Sequence, residues 1–172
     1  MNIEPLGSIY RDDDIEEWFE SEPISIPFLD GRQLTFILEN VEEDGRLEEF
    51  SSAVTKFLAL TVQDRDSVTP YVFRYYSNYV AAVGTDELEI KIENPAHVWR
   101  HVQLFQIHVS RRPFGDASVH IQICGNCDWD REHGIQIVFR EGNVLRRVSM
   151  QDGHLTYCDA FNVPESEDRI VQ

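Results

Sequence analysis

The stretch CGNCDWDREHG, from Cys124 to Gly134, holds two cysteines, three carboxylates, a tryptophan and a histidine. Residue types this dense could bind a metal, exchange a disulfide or move a proton. A Cys-x-x-Cys pair is half of a structural zinc site, which needs two further ligands. Cys158 stands alone, and His133 and His154 are the available complements. The metal alternative is therefore Cys124, Cys127 and His133, a spacing that matches no strong zinc pattern. A redox pair of the thioredoxin type sits where a helix follows a strand. Here the pair lies in a strand with no helix after it.

Strand parity sharpens the question. In an unbroken strand Ile121, Ile123, Gly125, Cys127 and Trp129 share one face, while His120, Gln122, Cys124 and Asn126 share the other. The two thiols then diverge unless Gly125-Asn126 bulges. The expectation is a structural role, with Cys127 as a small core residue. Asp128, Asp130 and Glu132 resemble the alternating carboxylates of a calcium loop. That loop needs Gly at its sixth position and Glu at its twelfth. Counted from Asp128, Gly134 is seventh and Phe139 twelfth, so the register fails. Glu132 and His133 could form an acid/base pair. The simpler reading is a polar turn of Asp130, Glu132, His133 and Gly134. In it Asp130 accepts backbone N–H bonds and Gly134 supplies a positive φ.

Other motifs are absent. His97 and His101 are four apart, but Val-Trp-Arg between them lacks a metalloprotease glutamate. No phosphate-binding glycine loop and no nucleophile elbow occurs. No catalytic residue, resident metal or cofactor is expected.

The elements that must carry these residues read as α+β. Ile15, Trp18 and Phe19 suit a first helix ended by Pro23. Ile24, Ile26 and Phe28, then Asp30-Gly31, then Leu34, Phe36 and Leu38 suggest a hairpin. Leu47, Phe50, Val54, Phe57 and Leu58 form the stripe of an amphipathic helix. A second begins at Thr69-Pro70 and ends at Gly84. Asn94-Pro95 opens a short third. Strands follow at Leu104–Ser110, Ser118 to about Trp129, Ile135–Arg140 and Val144–Ser149, with a possible fifth from Leu155 to Asp159. Short turns make this half an antiparallel meander. The expected fold is one domain over 1–172, an antiparallel sheet (N-terminal hairpin plus C-terminal meander) with two to four helices packed on one face. Residues 1–11 and 162–172 are expected to be loosely ordered tails.

Net charge is -16 and uneven. Residues 1–99 carry 7 basic and 21 acidic side chains, while residues 100–150 carry 7 and 5. An acidic surface repels phosphate backbones and attracts basic proteins, so a basic protein partner is expected and nucleic acid is not. Tyr71, Tyr75 and Tyr79 are candidate anchors for that partner. No window approaches the ~20 apolar residues of a membrane span, so no membrane association is expected. Three cysteines without an export signal suggest reduced thiols in a bacterial-type cytoplasm. Nothing predicts a particular oligomer.

The run CDWDREHGIQIVFREGNVLRRVSMQDGHLT, from Cys127 to Thr156, resembles the C-terminal part of a family of uncharacterised bacterial proteins, a domain of unknown function. Its Trp-x-x-Glu-His-Gly motif falls on Trp129 to Gly134. The segment PISIPFLDGRQLTFIL and the helix ending in KFLAL are similar to that family too, extending the resemblance over roughly residues 15–160. The family carries no established activity, so it implies no catalytic residues. By analogy of class alone, such small acidic proteins are similar to immunity proteins encoded beside bacterial toxins.

Overall fold

The computed structural model describes residues 1–84 and 90–172. Eight strands form one open sheet. In chain order they are β1 (Asn2–Ile3), β2 (Gly7–Arg11), β3 (Trp18–Ser21), β6 (Phe36–Glu39), β7 (Val102–Arg111), β8 (Val119–Cys127), β9 (Ile135–Arg140) and β10 (Val144–Ser149). Their spatial order is the same, interrupted only by a separate hairpin of β4 (Ile24–Ile26) and β5 (Arg32–Leu34). The chain folds as a single α+β domain, and β7 to β10 form the antiparallel meander.

The pair β6 and β7 is parallel, which makes the sheet mixed. Parallel neighbours need a long crossover. Here it runs through α1 (Leu47–Leu58) and α2 (Arg65–Val83), then a 3-10 turn at Pro95–His101. Both helices pack on one face of the sheet. The α1 stripe buries Phe50, Ala53, Val54 and Phe57. The Phe57 ring meets Phe28, Phe36 and Phe139 within 6.3 Å. Burying each such ring contributes roughly 1.5–3 kcal/mol.

Four local expectations are corrected. Trp18 and Phe19 lie in a strand, not a helix, because β3 gains a ladder on each side, with β2 and with β6. Its burial then alternates, Phe19 and Ser21 inward. The expected hairpin splits. Ile24–Ile26 pairs with Arg32–Leu34, Phe28 enters a 3-10 turn, and Phe36–Leu38 leaves to join the main sheet. Helix α2 begins at Arg65, with Pro70 inside it. The start signal is Thr61, which forms a capping box with Asp64 one turn earlier. Finally, the possible fifth strand is the short helix α3 (Tyr157–Phe161), capped by Thr156, whose hydroxyl accepts from Asp159 N–H.

The terminal stretches touch the body of the protein. Ile3 and Ile9 are buried, and Ile9 N–H donates to Met1 O. At the other end Val148 N–H donates to Ile170 O, and Val171 is buried.

Candidate functional site

The two cysteines face opposite sides of the sheet. β8 keeps its parity, and the irregularity falls on β7, between Leu104 and Gln106, where Phe105 is thrown outward. Cys127 belongs to the apolar core and its thiol donates to Asp130 O at 3.6 Å. Cys124 faces the other side, beside Gln122 and His108. Gly125 between them is required by close packing, since a Cβ there would strike Gln103 O and the Leu104 backbone. Burial pushes both thiols up to about 12, helped by Glu39 at Cys124 and by the carboxylates of Asp130 and Asp128 at Cys127. A thiol held so high stays protonated at neutral pH, which favours neither metal ligation nor nucleophilic attack.

The polar turn is anchored from inside. Asp130 is 2% exposed. Its Oδ1 accepts from His133 N–H and pairs with His133 Nδ1, both at 3.0 Å. Its Oδ2 accepts from the Tyr75 hydroxyl at 3.0 Å, which also reaches Gly134 O at 3.0 Å. Gly134 has φ +64, and its N–H donates to Asp130 O at 2.8 Å. Glu132 and His133 lie exposed at the tip. Trp129 is buried between the Tyr75 and Tyr76 rings, with centroids 5.8 and 5.7 Å away. Tyr75, expected as an exposed anchor, is therefore an interior residue. Burial and the Asp130 carboxylate hold its phenol far above the usual range. Tyr71 and Tyr79 are half-buried against the core. None of this turn lines the cleft to which Cys124 contributes.

That cleft, about 920 Å³, lies on the sheet face opposite α1 and α2. Its floor comes from Glu39 on β6, Gln106, His108 and Ser110 on β7, and Gln122 and Cys124 on β8. His108 Nδ1 is 2.7 Å from Glu39 Oε1, and the edge of Trp18 backs the imidazole. The C-terminal segment from Gln151 to Glu165 forms the opposite wall. Arg112 fixes that wall. It is 2% exposed and donates twice to Asp159, at 2.7 Å each, and once to Glu165 at 2.5 Å. Among the described residues, Cys158, Asp159 and Glu165 are a group close enough to share a cation. The Arg112 guanidinium already fills that role. Sequence reading missed this cleft because its residues come from three strands and a distant helix. The alternation of polar residues in VQLFQIHVSR and VHIQIC was the available signal.

A second feature is electrostatic. The loop at residues 12–17 meets the loop at 40–46, where Asn40 N–H donates to Glu17 O at 2.8 Å. Asp13, Asp14, Glu16, Glu17, Glu42 and Glu43 are all exposed there. Arg11 sits among them, paired with Glu42 at 2.5 Å and bonded to Glu16 O. Arg111 is committed nearby to Asp44 and Glu49, each at 2.5 Å. No helix among the described residues is long and apolar enough to cross a membrane.

A family model described as a domain of unknown function (DUF6985) matches residues 5–155. No curated protein and no solved structure gives a significant match.

Proposed function

Since the chain belongs to that family, whose description names no activity, the functional reading rests on its own residues, and we propose that it is a non-enzymatic protein-binding domain of the bacterial cytoplasm, immunity-like in class, whose acidic end receives a basic partner. The observation that carries this reading is the convergence of the 12–17 and 40–46 loops into one carboxylate-rich end. Charges brought together from two loops add their fields and speed encounter with a basic surface. The carboxylates, not the tyrosines, make the contact, because Tyr75 is interior and Tyr71 and Tyr79 pack on the core.

The alternative, a metal-binding protein or hydrolase built on Cys124–Gly134, has less support. Its thiols diverge and both are held near 12. The test is affinity capture from the native host at low salt. The unmodified protein is expected to retain a specific basic protein, released by salt. A variant carrying Asp13→Lys, Glu16→Lys and Glu42→Lys is expected to lose it. Failure to retain a partner, or equal retention by the variant, would overturn the reading.

A further inference from the structure

The cleft on the second sheet face is built from polar groups whose hydrogen-bonding capacity the protein leaves unused. Gln106 and Ser110 make no side-chain hydrogen bond to any described residue, and both line the floor. Gln122 donates one amide hydrogen to Gln136 Oε1 at 2.6 Å and keeps its own carbonyl for another partner. His108 spends Nδ1 on Glu39 and leaves Nε2. Alternation along β7 and β8 aims these groups from adjacent strands into one space. At about 920 Å³ it is of ligand size, the usual range being roughly 300–1,000 Å³.

The charges in the cleft decide which ligand suits it. Arg111 is satisfied by Asp44 and Glu49, and Arg112 by Asp159 and Glu165. A phosphate or carboxylate ligand would find both guanidiniums already neutralised. Glu39 spends one carboxylate oxygen on His108 Nδ1, at 2.7 Å. What remains is amide, hydroxyl and imidazole, groups that pair with hydroxyls as donor and acceptor alike. At the rim Phe114 is 73% exposed, a ring face available for stacking on the C–H face of a sugar.

We infer that this cleft is a binding site for a neutral polyhydroxylated ligand, a mono- or disaccharide. The site borders the acidic end, since Asn40 and Arg111 line it, but its neutral ligand and its salt-insensitive binding distinguish it from the partner proposed there.

The test is titration of the isotope-labelled full chain, followed by amide NMR shifts, with glucose, galactose, N-acetylglucosamine, maltose and lactose. Inorganic phosphate serves as the charged comparator. At least one sugar is expected to give saturable shifts on β7 and β8, with a Kd on the order of 1 mM that is insensitive to salt. Gln106→Ala and Phe114→Ala, which touch no core packing, are each expected to weaken it about tenfold at unchanged Tm. The inference is overturned if no sugar in the panel gives saturable shifts there. It is equally overturned if phosphate binds the cleft instead, or if both variants bind as tightly as the parent.

Discussion

His120 is the residue whose chemistry is most at odds with its place. It is fully buried, its Nδ1 is 3.0 Å from Ser118 O, and its Nε2 has no partner among the described residues. Burial drives its pKa below 6.5, Arg112 and Arg146 push the same way, and Asp116 opposes them. The folded protein therefore resists a proton that the unfolded chain accepts. The stabilisation from a neutral His120 is complete above pH 6.5 and is lost as pH falls toward the folded value. The carboxylates of Asp44, Asp159 and Glu165 are held low by Arg111 and Arg112, and that of Asp152 by Arg147 against its own burial. They give up their contribution progressively as pH falls through their ordinary values of 3.8 for Asp and 4.5 for Glu, in the parent protein and in His120→Phe alike. Urea midpoints measured from pH 7 down to 4 should fall for the parent protein. In His120→Phe that fall should be clearly shallower. An unchanged slope would show that His120 is not the group responsible.

At the scale of elements, the stretch from Cys124 to Gly134 is a packing device. Gly125 lets β7 approach β8 on one side, and on the β9 side a Cβ on Gly134 would strike Gly125 O. Gly153 offers a control, with φ +77 but open space around its Cβ position. Both Gly→Ala changes carry the strain of a left-handed residue, about 1 kcal/mol. Only Gly134→Ala adds a backbone collision, so it should cost roughly 1–3 kcal/mol more in denaturant unfolding. Equal losses would mean that the turn shifts freely. These elements were legible in uneven measure. Ile135–Arg140 and Val144–Ser149 are bounded by turn residues, so their limits could be read directly, although neither alternates in burial and β10 carries an irregularity between Leu145 and Arg147. Trp18–Ser21 could not, because Ile15, Trp18 and Phe19 fall at helical spacing and the segment acquires strand geometry only from its ladders with β2 and β6. Phe36-Ile37-Leu38 did carry a signal. Three consecutive apolar residues mark a strand covered on both faces, not one arm of a half-exposed hairpin. The cleft was illegible for a similar reason, since Gln106 and Asp159 meet only once the sheet and the C-terminal segment are assembled.

Across the whole molecule, the C-terminal segment acts as a strap over the polar sheet face. The family match ends at residue 155, and the wall contributed by Cys158, Asp159 and Glu165 lies beyond it. The strap is held by three arginines of the body, the first being Arg147, which grips Asp152 and donates to His154 O. Arg112 grips Asp159 and Glu165, and Arg146 meets Asp168 at 2.6 Å. Apolar anchorage is lighter there, although Leu155, Tyr157 and Val171 are buried. The helices on the other face are packed by aromatic rings and do not depend on these ion pairs. Arg112→Ala leaves Asp159 facing a partly buried space without its guanidinium. It should therefore release the strap locally before it unfolds the sheet. Hydrogen exchange is the measurement. Amides from Tyr157 to Asp168 should exchange faster in Arg112→Ala by a factor on the order of 10 to 100, equivalent to about 1–3 kcal/mol. Amides of β8 and β9 should keep their protection, because their ladders and the apolar core beneath them are untouched. Acceleration spread evenly over the sheet would mean that the strap and the sheet unfold as one unit.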